Sequence, residues 1–222
     1  MIGPSEVGHP CARWVAYRLA GQDKAAGLPP WRQTVGTAVD DLISGWLADD
    51  PDWLVHCRTT MGELAPGLPI TGTLDAYHIP TRTVVDLKCP GPTAMKKFRR
   101  GPESPQYRVQ VHGYAQGMID AGYPVDTVAV VRLPTAGEFS DAIVKREAFD
   151  PAVAATALFR VQTIYQLVQT IGTQAAAHLP ATEFYCTRCP FYKPNSKDLS
   201  VGCPGAVEHV EDPTMGGILA PK

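Results

Sequence analysis

Apolar positions recur every three to four residues across residues 31–48. Val35, Val39, Leu42, Ile43, Trp46 and Leu47 form the stripe and predict one helix with that face buried. Asp40 lies at the edge of the stripe, between Gly36, Ile43 and Leu47, while Asp41 projects with Thr37, Ser44 and Ala48 on a polar side. A carboxylate turned inward is costly unless it is paired or binds a metal. A shorter helix is predicted over 12–20, opened by Pro10-Cys11 and closed by Gly21. Its Trp14, Val15, Tyr17 and Leu19 do not share one stripe, so burial on several sides is expected. Residues 27–30, Gly-Leu-Pro-Pro, read as a loop. The period then shortens, and strands are expected over 53–60, 67–79 and 82–89. In the third, Asp86 and Lys88 share one face while Val85, Leu87 and Cys89 take the other. A helix over 105–121 ends before Gly122 and stacks Gln110 on Tyr114. Gln106, Gly113 and Gly117 lie near that side and predict room for a bulky ligand. Strands follow over 125–133 and 142–148, then a long helix over 151–177. Ala157, Val161, Ile164, Val168 and Ile171 give that helix a packing seam, and its Tyr165, like His178, reads as a packing or surface group.

Composition narrows the class without naming a chemistry. The 222 residues are 45% hydrophobic and 19% charged, the mixture of a globular chain with one sizeable core. A single domain spanning 1–222 is expected, with a mobile polar tail over 207–222. The net charge of −2 excludes a uniformly basic coat for nucleic acid but leaves room for a local basic patch. One is present at Lys96-Lys97-Phe98-Arg99-Arg100, four cations able to contact phosphates around one aromatic residue. The start of the chain lacks a secretory pattern, and no apolar run is long enough to cross a membrane. A reducing, cytoplasmic setting is therefore expected, and the six cysteines read as ligands or free thiols.

Candidate chemistry concentrates at residues 72–88. Gly72-Thr73-Leu74-Asp75 and Val84-Val85-Asp86-Leu87-Lys88 place two carboxylates and a lysine on neighbouring strands. Hydrolysis of a phosphodiester needs an activated water and neutralised phosphate charge, which a carboxylate-held divalent metal supplies. Asp75, Asp86 and the carbonyl of Leu87 offer three oxygens of the kind that Mg²⁺ favours. Lys88 is placed to orient or deprotonate the attacking water, or to stabilise developing charge.

The order Gly72-Thr73-Leu74-Asp75, Asp86-Leu87-Lys88 and Gln110-x-x-x-Tyr114 resembles the PD-(D/E)XK nuclease superfamily in its RecB-like branch. With Cys11, Cys186, Cys189 and Cys203 added, the chain is similar to iron–sulfur members such as the AddB nuclease domain and CRISPR-associated or phage exonucleases. The resemblance implies an α/β, restriction-endonuclease-like fold, a mixed sheet flanked by helices. It implies metal-dependent cleavage of DNA by Mg²⁺ or Mn²⁺, often from single-stranded ends, in a bacterial or phage-infected cell. By the same resemblance Asp75 and Asp86 hold the metal, Lys88 is catalytic, and Gln110 and Tyr114 lie beside the site or DNA. That family often puts a metal-binding histidine four residues after a glycine of the early helix; counted from Gly36, this chain has Asp40, expected as a third carboxylate ligand. A protein that keeps the fold and binds nucleic acid without cleaving it is the alternative.

Cys186-Thr187-Arg188-Cys189 is a C-x-x-C pair, and Cys203 follows. Cys11 is the natural fourth ligand, making a staple of segments 1–21 and 180–206; His9 or His209 is an alternative to it. Four thiolates suit zinc or an iron–sulfur cluster, and the resemblance favours a 4Fe–4S cluster. Cys57 and Cys89 read as small core residues within apolar strands.

Overall fold

The computed structural model describes residues 2–22, 31–184 and 186–206. The loop expected over 27–30, the tail from 207 onward and His209 lie outside them. Helices α1 (Pro4–Val7), α2 (Ala12–Leu19) and α3 (Trp31–Ala48) precede strands β1 (Trp53–Ala65), β2 (Leu68–His78) and β3 (Thr83–Lys88). Then come α4 (Pro92–Arg100), α5 (Pro105–Asp120), β4 (Thr127–Arg132), β5 (Ile143–Ala148) and α6 (Pro151–Ile171). The strands make one five-stranded sheet in sequential order. All neighbours are antiparallel except β3 and β4, which run parallel with Lys88 beside Arg132. A parallel pair needs a crossover, and α4 and α5 are that crossover. This is the mixed, helix-flanked α/β sheet that the sequence predicts.

Three packed layers fix the sheet. On one face Leu74, Tyr77, Val84, Val128 and Val130 meet Val111, Tyr114, Ala115 and Met118 of α5. On the opposite face Ala76, Val85, Leu87 and Ala129 meet Ile43 and Leu47 of α3. At the far ends of β1 and β2, Met61, Leu64 and Ile70 join α1, α2 and the α6 seam of Val161, Ile164 and Val168.

Several expectations are corrected. In α3 the inward residues are Val35, Val39, Ile43 and Leu47, whereas Leu42 is 52% and Trp46 58% exposed. The helix packs on the sheet through the side that carries Ile43 and Leu47, so its contact stripe is narrower than its apolar one. The space beside Gly113 and Gly117 holds β1 rather than a ligand. A Cβ on Gly117 would stand 1.9 Å from Thr59 Oγ1, and one on Gly113 2.5 Å from Met61 Cε. The last helix stops at Ile171 because Gly172 turns left-handed at φ 59°, and residues 172–178 continue as a tighter 3₁₀ turn. Cys57 and Cys89 are half-buried rather than core, and Cys89 lies just past the end of β3.

Candidate active site

The pairing of β2 with β3 runs from His78–Thr83 to Ala76–Val85 and ends there. Asp75 stands at the next position, opposite Asp86. Its side chain takes over from the ladder: Asp75 Oδ2 accepts the Leu87 amide at 2.6 Å. The strands therefore part around two carboxylates. Asp86 is fully buried, and its Oδ2 lies 2.6 Å from Lys88 Nζ in an ion pair. Lys88 Nζ also donates to the Leu87 carbonyl at 3.1 Å. Gly72 permits this crowding, since a Cβ there would meet Pro4 Cγ at 2.8 Å and Tyr114 Oη at 3.0 Å.

The electrostatics follow from two acids sharing little water. Burial, then Asp86, pushes the Asp75 carboxyl up to about 7, against the lowering pull of Lys88 and the Leu87 amide; Asp40 adds a smaller upward push. Asp86 is also raised, first by burial, with Lys88 opposing. Burial alone would lower Lys88, but Asp86 and Asp75 together hold it above its usual value. Tyr114 is raised mainly by burial and also by Asp86 and Asp75, which places its hydroxyl beside the acids. Gln110 Nε2 donates to that hydroxyl at 3.4 Å.

Unpartnered oxygens mark what the site lacks. Asp86 Oδ1, Asp40 Oδ1 and Gln110 Oε1 are buried without a hydrogen-bond partner. Buried acceptors are normally satisfied, and a hard divalent cation is the natural complement to carboxylate oxygens. Asp40, on α3, is close enough to act on Asp75 and on Cys89. Asp75 and Asp86, with the Leu87 carbonyl beside them, offer oxygen donors of the kind that Mg²⁺ or Mn²⁺ favours, although among the described residues no group of three ligand atoms within 4.8 Å of one another includes Asp75 or Asp86.

The structure groups Asp75, Asp86, Lys88, Gln110 and Tyr114 at the parted edge, whereas Asp40 reaches Asp75 through its charge and contacts His56. The basic run becomes α4, begun by Pro92 only four residues after Lys88. Lys96, Lys97, Arg99 and Arg100 are exposed, with Arg99 3.8 Å from Asp141. Phe98 does not join them. Its ring faces inward, 3.9 Å from the guanidinium carbon of the fully buried Arg132, which is ion-paired with Glu103.

Sequence reasoning missed Tyr107, Arg132 and His56. The Tyr107 ring lies 5.3 Å from Lys88 Nζ and 5.8 Å from the Arg132 guanidinium carbon. Its spacing was available: Tyr107, Gln110 and Tyr114 are i, i+3 and i+7 on one helix face. Arg132 gave no such signal, because only strand register sets it beside Lys88, and His56 gave none because one left-handed residue turns it to Asp40.

The four cysteines singled out by spacing also converge. Cys11, Cys186, Cys189 and Cys203 line one pocket with His9, Trp14 and Phe184, and none is in a disulfide. The Cys189 thiol is raised, first by burial, and also by Cys11, Cys203 and Cys186. Backbone bonds hold the C-terminal part: Cys189 N to Cys186 O at 2.9 Å and Cys203 N to Phe191 O at 2.8 Å. Tyr17 Oη donates to Leu199 O at 2.5 Å and Gln22 Nε2 to Ser200 O at 2.8 Å, tying the N-terminal segment to it. No three of the sulfurs lie within 4.8 Å of one another. The space they enclose is about 20 Å³.

No family model and no curated protein matches the sequence. Solved structures do match the fold. The chain is similar to SSO0001 at a TM-score of 0.58 and 16% identity, over 93% of this chain and 87% of that one. It is similar to the alkaline exonuclease LHK-Exo from Laribacter hongkongensis at a TM-score of 0.55 and 13% identity, over 77% of this chain and 88% of that one. The complex of LHK-Exo with dAMP matches at a TM-score of 0.50 and 14% identity, over 75% and 91%. At these identities the likeness is one of fold.

Proposed function

We propose that this chain is a metal-dependent deoxyribonuclease of the PD-(D/E)XK superfamily, RecB-like branch, acting as an exonuclease on single-stranded ends. The observation that carries the reading is the parted β2–β3 edge. There a fully buried Asp86 with an unpartnered oxygen, an Asp75 carboxyl raised to about 7 and an ion-paired Lys88 meet. Asp75, Asp86 and the Leu87 carbonyl would hold Mg²⁺ or Mn²⁺, with Asp40 as a third carboxylate. That cation would supply a bound water of lowered pKa and neutralise phosphate charge. Lys88 holds the attacking water or donates to the developing oxyanion at the same edge. Gln110 and Tyr114, both buried, support the acids from α5, and Lys96, Lys97, Arg99 and Arg100 bind the phosphates of the strand. Support for DNA as substrate comes from the exonuclease fold of LHK-Exo and from its complex with dAMP. No helix among the described residues is long and apolar enough to cross a membrane, in keeping with a cytoplasmic enzyme.

The cysteine pocket is read as a metal staple. Tetrahedral zinc at about 2.3 Å draws its sulfurs to within about 3.8 Å of each other. No three of the sulfurs are that close, which suits an iron–sulfur cluster better. The small enclosed volume argues the other way, but rotatable side chains such as Phe184 and Tyr192 border it. A brown anaerobic preparation containing iron and sulfide is expected; colourless protein with stoichiometric zinc overturns the cluster.

End-labelled single- and double-stranded DNA, with and without Mn²⁺, tests the activity. Progressive loss of the end label from single strands, only with metal, is expected. Cleavage without metal, or none on any DNA, overturns the reading, the latter in favour of a non-catalytic binding protein.

A further inference from the structure

Strand register carries the parted edge across to the outer strand of the sheet. Asp86 pairs with Val130 of β4, and Val130 pairs with Lys145 of β5. Paired residues share a face, so Lys145 stands on the face of Asp86 and Lys88, two strands and about 10 Å away. A cleft of about 620 Å³ opens there, the size of a small-molecule site. Val128 and Val130 of β4, Val111 of α5, Glu103 and Lys145 line it.

One wall of the cleft is unfinished. Glu103 Oε1 accepts the Arg132 guanidinium and, at 2.6 Å, the Ser104 amide, but Oε2 is buried without a partner. A carboxylate oxygen left bare away from water is costly and calls for a donor. The neighbouring cations are engaged elsewhere. Lys145 Nζ donates to the Gly101 carbonyl, and Arg108 Nε donates to both oxygens of Glu147 at 2.8 Å. The cleft therefore offers an apolar side made by three valines and one orphan acceptor. A nucleobase with an exocyclic amine has the complementary surfaces, a flat face and an N–H edge; a glutamate accepts from cytosine in this way. Thymine carries a carbonyl oxygen where cytosine carries the amine. The basic helix α4 leads to the same place, since its last residue, Arg100, stands two before Pro102 of the cleft wall.

We propose that this cleft is a nucleobase subsite. It holds one unpaired base near the cleaved bond, with Glu103 accepting from the exocyclic amine, so cytosine is bound in preference to thymine. The inference rests on the reading of the parted edge as a DNA site and adds a base preference to it. A base inside a duplex has its amine engaged by its complement, so the cleft also favours single strands.

Fluorescence anisotropy of the full chain in chelator reads binding apart from cleavage. The probes are labelled single strands of deoxycytidine, of thymidine, and of deoxycytidine dimethylated on its exocyclic amine, which keeps the ring and loses the donor. The wild type should bind the deoxycytidine strand about fivefold or more tightly than the thymidine strand, and dimethylation should remove that advantage. Glu103→Gln keeps an oxygen for Arg132 and sets an NH₂ group where Oε2 stood, so it should bind the two strands equally or favour thymidine. The dimethylated probe needs no variant, so the test stands even where Glu103→Gln misfolds. Equal affinity of the wild type for deoxycytidine and thymidine, a preference that survives dimethylation, or one kept in folded Glu103→Gln overturns the subsite. Mn²⁺-dependent digestion of the thymidine strand separates the two levels of the argument. Cleavage without a base preference in binding keeps the nuclease and overturns the subsite, whereas the preference without cleavage keeps the subsite and overturns the nuclease.

Discussion

Asp75→Asn should make the metal-free protein less sensitive to pH. The Asp75 carboxyl sits at about 7 in the fold and at about 3.9 in the unfolded chain. Below pH 4 both states carry the proton and the residue has no effect. As pH rises from 4 to 7 the unfolded chain ionises first, so stability falls and reaches its lower plateau once the folded carboxyl has ionised. The gap of about 3 units corresponds to a loss of about 4 kcal/mol across that window. Asn can still accept the Leu87 amide, so the variant keeps the geometry and removes the titration. Urea unfolding of both proteins in chelator at pH 4, 5, 6, 7 and 8 measures the difference. The wild type should lose several kcal/mol more than Asp75→Asn between pH 4 and 8. Saturating Mn²⁺ should flatten the wild-type curve, because the cation favours ionised carboxylates in the fold. Equal slopes for the two metal-free proteins would refute the crowded-acid account of the site.

Other substitutions probe separate parts. Gly117→Ala places a Cβ 1.9 Å from Thr59 Oγ1; it should cost about 1–3 kcal/mol of folding stability by thermal denaturation. Lys88→Met leaves the buried Asp86 unpaired and should destabilise by about 3–5 kcal/mol, whereas Asp86→Asn/Lys88→Met recovers most of that loss. Lys96→Ala should lower the slope of log affinity for single-stranded DNA against log salt by about 0.7. Arg99→Ala should lower it less, since Asp141 already engages Arg99. His56→Gly should raise metal-free stability by about 1 kcal/mol through relief of the left-handed backbone, an effect that chemical denaturation would detect.

Local period made the elements legible. Helix α3 has the bounds its periodicity predicts, and Asp86 and Lys88 share a face because a strand alternates. The two carboxylates and the lysine could be read together because a short turn joins β2 to β3. What lay beyond reach depended on neighbours far along the chain. The exposure of Leu42 and Trp46 follows from α3 meeting the sheet through the side that carries Ile43 and Leu47. Gly113 and Gly117 read as open space until β1 filled it with Met61 and Thr59. Arg132 joins the site because β4 runs parallel to β3 in a register that sets it beside Lys88. His56 meets Asp40 through one left-handed residue, which no periodicity encodes. Phe98, read as part of a phosphate-binding run, instead pins α4 onto Arg132.

The central claim is that the parted edge of β2 and β3 cleaves DNA with a bound metal. Its most direct measurement is Mn²⁺-dependent digestion of end-labelled single-stranded DNA by wild type and by folded Asp86→Asn/Lys88→Met, purified in parallel. Cleavage by the wild type that disappears in the double variant is the result this account predicts. Equal cleavage by both proteins would contradict it.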